Sequence, residues 1–326
     1  MSGGDVLLSV SDLRIHFPVI DRAGRKTTLK AVDGVSFTIG AGRTVALVGE
    51  SGCGKSTTGY GILGLAPITS GSVVYAGQDL ATLAPAARRA LLAREMQIIF
   101  QDPVAALNPK MSIADSICEP MRIRGIPSAE AERRLRRVMD LVGLSFVQAQ
   151  RLPSQISGGQ RQRVVIARAL VLDPKLVICD EPVSALDVSI RSQVLNILMD
   201  LQAELGLSYL FISHDLSVVR HIADEVVVMY LGQVMEQGPT DPLFESPCHP
   251  YTQALLSAIP LPDPVAQRAR ERIVLSGEIP SPLSAPKGCP FVTRCPIRVP
   301  RCVDERPPLT ASPRGIFIAC HERAAR

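Results

Sequence analysis

The chain has 326 residues, 35 Lys+Arg against 31 Asp+Glu for a formal charge of +4, 46% hydrophobic residues and 20% charged ones. That balance excludes a disordered chain, and the length allows two domains or one large domain with an appendage. So small a net charge, with 4% aromatics and no Trp, supplies neither a basic footprint nor a base-stacking platform, so no nucleic-acid partner is expected. Of the eight Cys, four fall in the last 38 residues. No segment approaches the about 18 consecutive apolar residues of a spanning helix. The opening Met1-Ser2-Gly3-Gly4-Asp5 lacks the pattern of a secretory signal or a myristoylation site. A cytoplasmic location with reduced thiols is therefore expected.

In chain order, Val6–Phe17 and Val32–Ile39 read as strands, separated by the polar loop Asp21–Lys26. Val45–Val48 is an unbroken apolar run, the pattern of a strand buried on both faces, and a helix begins at Lys55. Pro85–Gln150 reads as a mainly helical insert, and a further helix spans Gln160–Leu172. Leu176–Cys179 and Tyr209–Ile212 are two more buried-type strands, with a helix at Ile190–Leu205 between them. Strands alternating with helices predict an α/β fold with a parallel sheet. Proline density rises from Pro239, which places a boundary near residue 240 and a loop-rich region after it.

Gly49-Glu50-Ser51-Gly52-Cys53-Gly54-Lys55-Ser56 fits G-x-x-x-x-G-K-[ST] between a strand and a helix, with Thr57 next in the binding set. Glycines let successive N–H groups and the helix start face a phosphate chain. Lys55 would reach the β- and γ-phosphates, and the Ser56 hydroxyl would ligate Mg²⁺. The strand Leu176–Cys179 ends in Asp180-Glu181. One of these carboxylates can hold the Mg²⁺ shell and the next can polarise a water towards the γ-phosphate. Together these imply a Mg-nucleotide hydrolase. Ser157-Gly158-Gly159-Gln160, 24 positions before Glu181, is a second polarised helix start with Ser157 as its N-cap. One mononucleotide does not need two such sites, unless the second serves a neighbour's nucleotide.

With these motifs the sequence resembles the ATP-binding cassette (ABC) ATPases over about its first 240 residues. They occur in family order: the P-loop 49–56, Gln101 after Ile98-Ile99-Phe100, Ser157–Gln160, Asp180-Glu181, Ser184-Ala185-Leu186-Asp187, and His214. The resemblance implies a P-loop fold: a RecA-like core with an antiparallel β-subdomain and a helical subdomain at about 85–170, within a nucleotide-binding domain at 1–240. It makes Glu181 the catalytic base and Asp180 the Mg²⁺ second-shell carboxylate. His214 contacts the γ-phosphate and braces Glu181. Gln101 senses Mg²⁺ and the attacking water and links them to a membrane partner. Asp187 reaches across a dimer interface, and Ser157 and Gly159 act on ATP held by the opposite subunit. Phe17 is the candidate adenine-stacking aromatic. Standing alone, His214 would sooner read as a satisfied core imidazole.

Phe100-Gln101-Asp102-Pro103-Val104-Ala105-Ala106-Leu107-Asn108-Pro109 and Ser246-Pro247-Cys248-His249-Pro250-Tyr251-Thr252 resemble the oligopeptide/dipeptide importers, the whole chain being similar to the second (F-type) of their two ATPases. That implies a partner ATPase (a D-type paralogue), two transmembrane permeases, an extracytoplasmic substrate-binding protein acting indirectly, and a place on the cytoplasmic face of the membrane. Residues 241–326 would then be that family's C-terminal extension. Related nickel, opine or glutathione importers remain the alternative, as does a soluble ABC ATPase of DNA repair or translation. In the extension Cys289, Cys295, Cys302 and Cys320 are spaced 6, 7 and 18 apart. No C-x₂-C pair occurs, so the usual zinc-ribbon spacing fails. Four thiolates in a Pro-rich loop suit a 4Fe-4S iron–sulfur cluster, which some members of the family carry there. Four-Cys zinc and an unligated thiol set stay open. Cys53 and Cys179 read as packing residues, His249 as structural, and Arg133–Arg137 as a solvated helix face.

Overall fold

The strand signals of the first 40 residues become two strands longer than expected, Val6–Ile20 and Lys26–Gly40. The computed structural model describes residues 6–21, 24–260, 263, 268, 272–312 and 314–323. Met1–Asp5, and Arg22 and Ala23 of the expected Asp21–Lys26 loop, lie outside the described residues. The chain divides into two compact units. One joins Val6–Ile39, Thr44–Thr82 and Ser213–Arg326, and the other joins Gly40–Arg43 to Leu83–Ile212.

In the first of these units the two long strands combine with Ser70–Tyr75 and Gln78–Asp79 into a four-stranded sheet. Alternation buries Leu8 and Val10, then shifts phase to bury Leu13 and Ile15. The shift falls where pairing with Ser70–Tyr75 changes register between Ser11 and Arg14, with Asp12 at φ +48°. A one-residue insertion in an antiparallel pair does this, because side chains alternate with period two. The same unit holds a second set of strands. Thr44–Val48, buried throughout, runs parallel to Glu225–Tyr230. Gln233–Pro239 pairs antiparallel with Glu225–Tyr230. On its far side the tail adds two short strands, Phe317–Ile318 and then Thr310–Ala311.

The other unit carries three parallel strands, Met96–Ile99, Leu176–Asp180 and Ser208–Ser213, in that order. The reading of 85–150 as mainly helical holds, and the first of these strands is an element it did not anticipate. Helices do form at Pro85–Glu95, Pro103–Ala106, Ile113–Ile123 and Ser128–Leu141. Between the first two, Met96–Ile99 joins Leu176–Cys179 residue for residue. Four residues is too short a run to break a helical period laid down by the Ala/Arg/Leu stretch before it. Ile113, Ile117 and Met121 recur every four residues, and Leu135, Val138, Met139 and Val142 recur at three and four; all seven are buried. Each such side chain contributes about 1.5–3 kcal/mol by burial. These faces meet each other and the helix Gly158–Leu170. The Arg-rich run keeps to the outer face, where Arg133 and Arg134 pair with Glu130, and Arg134 and Arg137 with Asp173.

Candidate nucleotide site

The buried strand Thr44–Val48 delivers the chain into the loop 49–54, and the helix Lys55–Ile62 follows. Its N-cap is Gly54, at φ +101°, with no side chain closing the first turn. A Cβ on Gly54 would lie 2.2 Å from the carbonyl of Ala31, so both the dihedral and the space demand glycine. The Gly232 N–H donates to Cys53 O at 2.9 Å and anchors the loop. Lys55 is buried, and its Nζ donates to Gly49 O at 2.9 Å and Glu50 O at 3.0 Å. An ammonium therefore lies across the loop beside an uncapped helix start, an arrangement that favours a polyanion. The Cys53 thiol is pushed up by burial, against the nearby Lys55, and its expected role as packing holds.

Glu50 is held by residues that sequence reasoning missed. Its N–H donates to Tyr251 Oη at 2.9 Å, and its carboxylate accepts from Arg294 Nη1 and Nη2 at 2.8 and 3.2 Å. Only the His249-Pro250-Tyr251 run carried any signal, and Arg294 carried none beyond preceding Cys295. Tyr251, Tyr230, Phe291 and His249 form a buried aromatic cluster with centroids 4.9–5.5 Å apart. His249 is structural, as expected: its Nδ1 accepts from the Tyr251 N–H at 3.1 Å and caps the helix Pro250–Ser257.

In the other unit the strand Leu176–Asp180 ends with Asp180 buried and Glu181 half-buried. Glu181 sits at φ +47°, a left-handed conformation for a residue with a side chain, which costs about 1–3 kcal/mol. Its N–H donates to Ile212 O at 3.0 Å, and Gln101 Nε2 donates to its Oε2 at 2.9 Å. Two residues 80 positions apart are thus brought together, an oxygen-rich pair suited to water and a hard cation. Ser157 caps the helix Gly158–Leu170. Its Oγ accepts from the Gln160 N–H at 3.3 Å, and Gln160 Oε1 accepts from the Ser157 N–H at 3.0 Å, a reciprocal capping box. A Cβ on Gly159 would come 2.6 Å from Ile190 Cγ2, whereas one on Gly158 would meet nothing within 4 Å. Asp187 is the exposed N-cap of Val188–Leu205 and makes no side-chain cap bond. His214 is exposed after the strand Ser208–Ser213, in the P-loop's unit, as is half-buried Phe17 within the first strand.

Burial and neighbouring thiols raise Cys289, Cys295 and Cys320 of the tail. Burial pushes Cys289 up to about 12, and Cys302, Cys295 and Cys320 add to that rise. Cys295 is raised by burial first and by Cys320 and Cys302 after it, and Cys320 by burial first and by Cys302 after it. The Cys289 N–H donates to Cys302 O at 2.8 Å, tying two of the thiol-bearing segments together. As they stand, however, no group of three or more His, Cys, Asp or Glu among the described residues is arranged to hold a metal ion.

A glycine-opened, lysine-bearing helix start after a buried strand, with an acidic pair ending another, defines a P-loop nucleotide-binding protein. Residues 32–184 match the ABC transporter family, and residues 235–302 match the family described as oligopeptide/dipeptide transporter, C-terminal region. The chain is 49% identical to the oligopeptide transport ATP-binding protein OppF of Escherichia coli, over 95% of this chain and 94% of that protein. It is 51% identical to the dipeptide transport ATP-binding protein DppF of the same organism, over 96% of this chain and 93% of that one. The solved cbiO1 of Clostridium perfringens, part of the ABC transporter complex cbiONQ, superposes with a TM-score of 0.64 at 27% identity, covering 74% of this chain and 92% of that one. The dimeric ATP-binding cassette MJ0796 has the same fold, with a TM-score of 0.64 at 24% identity over 72% of this chain and 99% of that one. The chain belongs to the ABC-transporter ATP-binding proteins of the oligopeptide/dipeptide type, and is an ABC-type ATPase.

Proposed function

We propose that the chain hydrolyses ATP to energise the import of di- or oligopeptides, at the cytoplasmic face of a membrane and together with transmembrane permeases. The observation that carries this is the P-loop itself, an uncapped helix start with Lys55 laid across it. It is supported by the likeness along the whole chain to peptide-transport ATPases. No helix of the described residues is long and apolar enough to cross a membrane. Residues 49–57 bind the phosphates. Ser56 and Gln101 offer oxygen donors of the kind that Mg²⁺ of the nucleotide prefers, and the Asp180 carboxylate holds the water around that ion. Glu181 takes the proton of the water that attacks the γ-phosphate, so ADP and phosphate leave, with Gln101 holding that carboxylate. His214 contacts the γ-phosphate, and Phe17 stacks on the base. Ser157–Gln160 and Asp187 serve the nucleotide of a second ATPase, a D-type paralogue, and a substrate-binding protein delivers the peptide from outside. ATP-dependent peptide uptake by vesicles holding the chain with its copurified membrane partners tests this. Uptake that continues without the chain, or a chain that copurifies with no membrane protein, overturns it.

The tail supports a second assignment, that Cys289, Cys295, Cys302 and Cys320 hold a 4Fe-4S cluster. Four cysteines within one Pro-rich region are a soft donor set, and the Cys289 N–H on Cys302 O ties two of their segments together. When bound, such a cluster cross-links the tail and carries single electrons. Anaerobically purified protein should be brown and contain iron. Zinc without iron, or no metal in fully active protein, overturns it.

A further inference from the structure

We propose that Arg294 and Tyr251, from the C-terminal region, are positioning residues for ATP, holding the P-loop through Glu50 in its phosphate-receiving shape. This rests on the P-loop reading above. Glu50 is the second residue of the loop and is gripped at three groups. Its carbonyl takes Lys55 Nζ, its N–H goes to Tyr251 Oη, and its carboxylate takes both terminal nitrogens of Arg294. Two of these three grips come from residues 201 and 244 positions away in sequence. Bidentate pairing of a planar guanidinium with a carboxylate fixes direction as well as distance.

The mounts of both grips are rigid. The Tyr251 ring is fully buried in the cluster with Tyr230 and Phe291. The Arg294 side chain is only 9% exposed, so its pair with Glu50 is shielded from the screening that makes surface ion pairs weak. Its backbone N–H donates to Phe291 O at 3.0 Å, in the turn that starts at Cys289. Burial alone would lower the Arg294 pKa, and the hydrogen bonds that Arg294 donates to Glu50 reverse this and leave it raised. A loop of six residues containing three glycines has many shapes in the absence of restraint. Fixing one of them beforehand removes an ordering cost from nucleotide binding.

The test is a titration of the full chain with the magnesium complex of the non-hydrolysable analogue AMP-PNP. The variants are Arg294→Ala, Glu50→Ala, the double variant, Arg294→Lys and Tyr251→Phe, with Lys55→Ala as control. Each member of the Arg294–Glu50 pair should weaken binding about tenfold when removed, and the double variant should be no weaker than either alone. In the intact transporter the KM for ATP should rise by the same factor with kcat unchanged, which a loss of folded protein would not produce. Arg294→Lys and Tyr251→Phe preserve packing and should each weaken binding several-fold, about threefold or more, while leaving thermal stability of the nucleotide-free chain in place. Affinities of Arg294→Ala and Arg294→Lys within about twofold of the parent, or effects that simply multiply in the double variant, overturn the proposal. A parent chain that binds no AMP-PNP, or binding untouched by Lys55→Ala, instead overturns the P-loop reading on which it stands.

Discussion

Two helices begin with glycines in anion-binding motifs, and they are finished differently. The helix at Lys55 starts on Gly54 with no side-chain cap, its loop braced by Lys55 inside and by Tyr251 and Arg294 outside. The helix at Gly158 is closed by its own residues, Ser157 and Gln160 bonding each other's backbone N–H. The first therefore keeps its donors pointed at an incoming anion. The second has the Ser157 and Gln160 N–H groups occupied by its own side chains. Gly159 is required within the chain by Ile190, but Gly158 is not.

The largest effect should come from the self-capped start. Ser157→Arg should abolish turnover of the transporter while leaving AMP-PNP affinity of its own P-loop within about twofold of the parent. Loss of that affinity would mean that Ser157 serves its own chain. Next, Lys55→Ala removes the ammonium from Gly49 and Glu50 and from the phosphates, and should weaken nucleotide binding by about one hundredfold in equilibrium titration. Ser157→Ala should be milder. Losing one cap costs about 1 kcal/mol, a fall of roughly 2–4 °C in melting temperature for a unit of this size. A larger fall would mean that the capping box carries more of the helical region than its two hydrogen bonds account for.

The P-loop was legible because its chemistry is written in one contiguous spacing: a strand, three glycines, a lysine and a serine. The capping box was half legible, since Ser157 and Gln160 stand three apart, but nothing in the letters says which N–H each one takes. The Arg294–Glu50 pair was not legible at all. It joins residues 244 apart, and a lone Arg or Glu has no periodicity to announce its partner. The strand Met96–Ile99 was hidden for a similar reason. It becomes a strand by lying beside Leu176–Cys179 rather than through a long β-patterned run of its own. The two-residue tail strands belong to the same class. The helix pair Ile113–Ile123 and Ser128–Leu141 was easier, because burial at every third and fourth position is a local property.

The smallest effect concerns acid. His249 is fully buried and accepts from the Tyr251 N–H, and burial pushes its pKa from 6.5 down to about 3. The unfolded chain therefore binds the proton more readily, so this contribution is intact above pH 6.5 and lost as pH falls towards 3. Glu236, which accepts from the Cys248 and His249 N–H groups, runs the other way. Burial raises its pKa, and its contribution fades as pH rises through that raised value. Melting temperatures between pH 7 and about 5 should fall less in His249→Asn, which keeps an acceptor without the charge, than in the parent. Equal slopes would remove His249 from the pH response of the Tyr251 mount.

The central claim is that this chain turns over ATP on Glu181, whose carboxylate Gln101 holds at 2.9 Å. Steady-state ATP hydrolysis by the purified transporter, comparing the parent with Glu181→Gln, tests it most directly. The account predicts a loss of about two to four orders of magnitude in turnover with Mg-ATP binding retained. Turnover by Glu181→Gln near that of the parent would contradict it.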